Sequence, residues 1–396
     1  MNTTPHVEAE IEAILEARTG RACAFMPSGR FALHLAFRLL LSPGDRILMS
    51  PLEDDTVFFG ALAAGLRPVM APVSTADGNL RLDAVEPSTW SSLDAVLTAN
   101  IYGLPDRVAD LRQRCDEFQI PLIEDAAHAL ETEVEGRPIG TFGAASVFSL
   151  SKHLPGRGGV LSLATPDDVA AASPLRTALL AEKPARRRAA DTAKSGVRGV
   201  LEAVRLMAAV QRARRSIRRR GLGEWRVPLR ASRLRGAVSA NNGLEPFDEW
   251  MNTAYPDYRM GQRSSGVRRT LAALRDVERD RRERLAGVVR LRELDAVAPG
   301  AQAGPPQPLL RVPLLIENRD SVANALHQRG INVYFVYDPP LDEYAGPEFV
   351  EPSSAPGAAS WWSRHVLPVD PHDAREVVKL VRTKHIRLTA AAPPSV

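Results

Sequence analysis

The 396-residue chain is 44% apolar and 25% charged with a net charge of +4, the balance of a globular protein long enough to expect two domains. No apolar run approaches the roughly 18 residues of a membrane-spanning helix, and Met1 to Glu10 show no basic-then-apolar leader. Two cysteines, Cys23 and Cys115, supply neither a disulfide framework nor a metal cluster, so a cytoplasmic protein without a metal centre is expected.

Residues 6–18 predict an amphipathic helix on Val7, Ile11, Ile14 and Leu15. A second helix is expected through Phe31–Phe37, beginning at Ser28-Gly29, where unpaired N–H groups, a hydroxyl and the helix dipole suit an anion. The plainer reading of Ser28-Gly29 is a helix cap. Strands are expected at Arg46–Met49, Pro68–Val73, Ala95–Ala99 and Ile120–Glu124, with helices at 56–64 and 106–118 between them. Such alternation argues for a largely parallel sheet covered on both faces, which binds ligands beyond its carboxyl strand ends. Asp125 stands at one such end; alone, it reads equally as a helix cap.

The stretch 144–161 organises the rest. A β-like run, Ala145 to Leu150, delivers Lys152 into a loop broken by Pro155, Gly156, Gly158 and Gly159, before a second run, Val160 to Leu163. A lysine among buried apolar and small residues loses solvation, which turns its amine into a usable nucleophile and proton carrier. An ordinary lysine on a surface turn is the alternative. With Asp125 to hold a protonated pyridine nitrogen, Lys152 would supply the second polar contact that pyridoxal phosphate chemistry requires.

Motifs in a fixed order carry a family resemblance: Pro27-Ser28-Gly29-Arg30-Phe31, Ala64-Gly65-Leu66-Arg67-Pro68, Asn100-Ile101-Tyr102-Gly103, Pro121 to Ala129, and Ile139-Gly140-Thr141-Phe142-Gly143. Phe148-Ser149-Leu150-Ser151-Lys152, Tyr258-Arg259-Met260, Gly330 to Val333 and Tyr337-Asp338-Pro339-Pro340-Leu341 continue it. The set resembles the fold type I pyridoxal-phosphate enzymes and, within them, the DegT/StrS-type nucleotide-sugar aminotransferases. It is nearly continuous over 20–165 and patchy over 245–385.

The resemblance implies an α/β fold type I transferase. A large domain (1–175 and 240–260) would hold a mostly parallel mixed sheet under helices, with a smaller C-terminal α/β domain and its connecting helix at 261–388. Residues 176–239 would be a basic helical insertion and 389–396 a flexible tail. By the same resemblance the cofactor is pyridoxal 5'-phosphate. Lys152 would form its internal aldimine and move the proton between Cα and C4′, while Asp125 keeps the ring nitrogen protonated. Ser28, the Gly29 and Arg30 amides and Ser149 would cradle the phosphate, with Arg157 a further phosphate candidate and His128 against the cofactor. Tyr102, Tyr337 and Asp342 are substrate candidates. A homodimer with shared active sites is implied.

Departures fall around this centre. No aromatic precedes Phe58 in Pro51-Leu52-Glu53-Asp54-Asp55-Thr56, where the family usually stacks one on the cofactor. Asp257 replaces the family's asparagine before Tyr-Arg-Met, and Asp342 a frequent histidine. Lys152 and Arg259 are 107 residues apart, an unusually long interval. Between Arg176 and Arg235 it holds 18 Lys+Arg against 4 Asp+Glu, leaving −10 for the remaining chain. Val197, Val200, Leu201, Val204 and Met207 there repeat at helical spacing, with Arg198, Arg205, Arg212 and Arg219 on another face. Such a basic helix suits an anionic membrane surface or lipid-linked substrate, another anionic partner, or plain packing on the body. No nucleic-acid motif accompanies it.

Further on, one long helix is expected over 261–295, a mobile linker over 296–308, strands at Leu309–Ile316 and Asn332–Val336, and a helix at 320–328. The reading is an aminotransferase that moves an amino group, from glutamate by resemblance, to a keto group of a nucleotide-activated sugar. The alternatives are a dehydratase or other reaction on the same fold, or a non-catalytic regulatory or membrane-associated member.

Overall fold

The computed structural model describes residues 4–181, 225–240, 243–251 and 258–393. The helix expected over 197–208, the runs Arg186-Arg187-Arg188 and Arg218-Arg219-Arg220 that flank it in the sequence, and Asp257 lie outside the described residues.

Seven strands form the central sheet: β1 (Ala22–Met26), β2 (Arg46–Met49), β3 (Arg67–Met70), β4 (Ala95–Thr98), β5 (Leu122–Asp125), β8 (Ala145–Ser149) and β9 (Gly159–Leu163). A two-stranded hairpin, β6 (Glu133–Val134) and β7 (Arg137–Pro138), lies apart. The order across the sheet is β1-β9-β8-β5-β4-β2-β3. β9 alone runs against its neighbours; the pairs from β8 to β3 are parallel.

Alternate residues of one strand feed two cores. Ala24 and Met26 join one, with α2 (Gly29–Leu40) and α3 (Asp55–Ala63). Cys23 and Phe25 join the other, with α1 (Thr4–Thr19) and the helices Val108–Phe118 and Ser264–Arg275. Period-two alternation with both faces apolar is what a sheet covered on both sides demands. Phe31, Phe37, Phe58 and Phe148 are fully buried, each contributing about 1.5–3 kcal/mol over exposure.

A third core lies around β10 (Val312–Leu315) and β11 (Val366–Val369), an antiparallel pair covered by helices Val277–Leu291, Arg319–His327 and Ala374–Arg382. Several expectations change here. The long helix over 261–295 is two, Ser264–Arg275 and Val277–Leu291, parted at Asp276; the first packs on α1 and the second joins the third core. Residues 332–336 form no strand: Phe335 sits at φ 64°, outside the extended region. The 296–308 stretch is packed, with Ala298, Ala301 and Leu309 buried and Gly300 N–H donating to Ala76 O. In the tail, Ala390 pairs with Ile316. The strand expected to Val73 stops at Met70.

Candidate active site

Parallel topology brings several strand ends to one edge, and a cavity of about 600 Å³ opens there. Ser28, Gly29 and Arg30 follow β1, Asp54 follows β2, Asp125 ends β5 and Ser149 ends β8, and all line it. β9 runs the other way, so its first residue, Gly159, arrives at the same edge. Lys152 lines the cavity from a short helical turn, Leu150–His153, rather than from the open loop expected.

Close approach at one end requires glycine. A Cβ on Gly159 would stand 2.4 Å from Gly29 N, and one on Gly29 would stand 2.9 Å from Ser149 Cβ. β9, β8 and the start of α2 thus meet without side chains between them, and the first N–H groups of α2 are presented beside Arg30 and Arg157. Ser28 Oγ caps α2 by accepting from Phe31 N–H at 3.2 Å and donates to Tyr258 O at 2.9 Å. The glycine-rich loop is pinned by Thr270, whose hydroxyl accepts from Arg157 N–H and donates to Arg157 O, each at 3.0 Å. Backbone amides, a helix N-terminus and two guanidinium groups make a site for a phosphate.

Midway along the cavity lies the amine. Lys152 Nζ is 2.9 Å from His128 Nε2, 3.8 Å from Asp54 Oδ2 and 5.1 Å from the centre of the Phe335 ring. His128 stacks on Tyr102, and its Nδ1 accepts from Tyr102 N–H at 3.2 Å. Burial, reinforced by the Lys152 charge, holds His128 well below the usual histidine range, so the ring is neutral. Asp125 Oδ1 accepts from Ala127 N–H at 2.8 Å in a turn, not in the helix a cap would need. Burial pushes its carboxyl up, against the lowering pull of Lys152. Asn100, at φ 42°, holds this strand end in place by donating to Asp125 O at 3.1 Å.

Seven of the predicted residues therefore converge on one cavity: Ser28, Gly29, Arg30, Asp125, Ser149, Lys152 and Arg157. His128 stands behind them, in contact through Lys152. Tyr102, Tyr337 and Asp342 are buried and absent from the cavity lining. The Tyr102 hydroxyl donates to Phe335 O at 2.8 Å. Among the described residues the Tyr337 hydroxyl and Asp342 Oδ2 have no hydrogen-bond partner.

Sequence reasoning missed several neighbours. Asp54 was seen only as part of a stretch lacking an aromatic, although Asp-x-Thr before a helix is a capping signal. Arg311, Tyr334 and Phe335 also line the cavity, brought there by tertiary packing that no local pattern announces. The motif Ile139–Gly143 wraps a buried carboxylate instead: Glu124 accepts from the N–H groups of Gly140, Phe142 and Gly143.

Residues 3–197 match the DegT/DnrJ/EryC1/StrS aminotransferase family. This stretch, 195 of the 396 residues, carries the family's pattern. A relative, the GDP-perosamine synthase of Vibrio cholerae, is 32% identical over 123 residues, 31% of this chain and 34% of that protein. The matched stretch thus spans about a third of the relative's length. Among solved structures, DesI in the presence of its TDP-sugar product superposes with a TM-score of 0.62 at 20% identity, covering 98% of this chain and 86% of that one. The E. coli GDP-4-keto-6-deoxy-D-mannose-3-dehydratase with bound hydrated PLP gives a TM-score of 0.65 at 14% identity, covering 97% and 92%. These likenesses establish the shared fold, an α/β architecture with a mostly parallel seven-stranded sheet.

Proposed function

We propose that the chain is a pyridoxal-phosphate-dependent aminotransferase that takes an amino group from glutamate and gives it to a keto group of a nucleotide-activated sugar. One observation carries the reading: Lys152, Asp125 and the anion-binding start of α2 share one cavity at the carboxyl edge of the sheet. The family match and the sugar-nucleotide enzymes among the chain's relatives support it.

The residues fit the cofactor. The Gly29–Gly159–Ser149 approach packs these backbones too closely for any Cβ and so sets the first amides of α2, with Ser28, Arg30 and Arg157, at the cavity edge where a phosphate would be held. Asp125 would take the pyridine nitrogen. When bound, the cofactor supplies an aldehyde and an electron-withdrawing ring that stabilises negative charge on the substrate carbon. Asp125 would offer the ring nitrogen a counter-charge, and Lys152 would carry a proton to and from the substrate. Buried Tyr102 and half-buried Phe335 would keep water from the amine's inner side.

Mixing the purified chain with pyridoxal phosphate is expected to produce a near-visible absorbance band, bleached by glutamate and absent in Lys152→Ala. A wild-type chain with no band defeats the reading, and a band that glutamate leaves untouched removes glutamate as donor. We further propose a homodimer with shared active sites, on the resemblance, and contact of 176–235 with an anionic membrane surface or lipid-linked substrate, on its charge. Sedimentation velocity and liposome co-sedimentation test these two. Among the described residues no helix is long and apolar enough to cross a membrane.

A further inference from the structure

The two polar side chains that meet the Lys152 amine favour opposite forms of it. Tyr102 N–H donates to His128 Nδ1, so the neutral ring carries its proton on Nε2. That N–H points at Nζ from 2.9 Å, a hydrogen bond that only an amine with a free lone pair accepts. Asp54 Oδ2, 3.8 Å from the same nitrogen, stabilises the ammonium instead.

Asp54 is built to stay in that position. Its Oδ1 caps α3, accepting from Thr56 N–H at 2.9 Å and from the Thr56 hydroxyl at 2.7 Å, which leaves Oδ2 to the amine. The loop is clamped from beneath by Arg226, whose guanidinium donates to Glu53 O at 3.0 Å, to Pro51 O at 3.3 Å and to Asp55 Oδ1 at 2.5 Å. The other groups facing this region are Glu53, Asp125, Arg30, His153, Arg311 and Tyr337. Burial pushes Glu53 and Asp125 up. Burial would raise Asp54 too, but Lys152, Arg30 and the Thr56 bonds outweigh it and hold the carboxyl below its usual range. Of the three carboxyls near the amine, Asp54 is the one held below its usual range.

We propose that Asp54 is the proton-holding partner of Lys152, keeping the amine protonated until a carbonyl compound arrives and receiving the proton released when it reacts. The balance is simple. One proton leaves Nζ for Oδ2, through a bridging water or a small turn of the carboxylate across the 3.8 Å gap. The freed lone pair forms the N–C bond, the C=O π pair moves to the carbonyl oxygen, and one proton of the now positive nitrogen passes to that oxygen, leaving a neutral adduct. His128 Nε2–H steadies the neutral amine in between. Asp54 acts through Lys152 and is therefore a positioning residue. The inference deepens the proposed function and relies on it only for the identity of the carbonyl compound.

The chain has only five lysines, so Lys152 is readily followed by acetic anhydride labelling and peptide mass spectrometry on the full-length, cofactor-free protein, with exposed Lys379 as internal standard. Asp54→Asn keeps a good helix cap and removes the charge. It is expected to raise Lys152 labelling at pH 7 about tenfold relative to Lys379 and to move the pH profile acidward by about one unit. Asp54→Ser, a second capping residue, should do the same. His128→Phe should move the profile the other way. An unchanged profile in both Asp54 variants, or an equal change at Lys379, overturns the proposal. Labelling needs no cofactor, so a chain that proves unable to bind pyridoxal phosphate fails the proposed function alone.

Discussion

The wall of the cavity made by 25–30, 122–128 and 145–159 rests on the ends of β1, β5, β8 and β9, strands buried at every position, whereas the facing wall, 330–335 and 370–373, is a loop and one 3-10 turn outside any sheet and leaves Tyr334 50% exposed. On the first wall, positions are fixed by sheet register: each side chain that faces the cavity follows directly from which strand ends there. On the second, Arg311 is held from outside the sheet, by Asp370 Oδ2 at 2.7 Å, and Asp370 is in turn held by His372 Nδ1 at 2.9 Å. A rigid wall suits invariant chemistry, and a wall hung on side-chain pairs suits a changeable substrate.

Substitutions can test that contrast, beginning with the largest effect. Arg226→Met would leave Asp55 buried with an uncompensated charge beneath the rigid wall; we expect a loss of about 3–5 kcal/mol, read from the urea midpoint. An unchanged midpoint would show that the loop carrying Asp54 does not depend on its clamp. Gly159→Ala comes next. Its Cβ would force Gly29 and Ser28 backbone apart, at a cost of about 1–3 kcal/mol in melting experiments, and cofactor affinity by fluorescence titration should fall at least about tenfold.

Effects on the irregular wall should be smaller and depend on pH. Hydrogen bonds to Asp280 and Asp370 raise His372 to about 9. A histidine raised in the folded state stabilises fully below its unfolded value of about 6.5, and that contribution is lost as pH climbs through about 9. With its surroundings partly exposed, we expect His372→Gln to cost about 1 kcal/mol at pH 7 and almost nothing at pH 10, by denaturation at the two pH values. The smallest stability change belongs to Tyr334→Ala, within about 0.5 kcal/mol, while KM for the proposed sugar substrate rises. If Tyr334→Ala altered stability more than KM, the division between the walls would be wrong.

Local pattern and composition already determined the first wall. Apolar runs alternating with helices demand a covered parallel sheet, and the residue after such a run must stand at its carboxyl edge; that logic alone placed Asp125 and Lys152 on one edge. Ser28-Gly29 before an apolar helix likewise announced a helix start suited to an anion, and the glycines after the lysine a break in regular structure.

Only the tertiary structure decided the rest. A two-residue preference cannot say that 332–336, rich in β-branched and aromatic residues, would be kept out of a sheet, because β10 and β11 pair with each other instead. Nor can spacing reveal that Arg226, 171 positions from Asp55, would close beneath the loop bearing Asp54. The resemblance made Tyr102 a substrate candidate; packing gave its hydroxyl to Phe335 O and its N–H to His128. Short-range periodicity encodes which face of an element is buried. Which carboxylate meets an amine depends on distances between elements, and those exist only once the chain has folded.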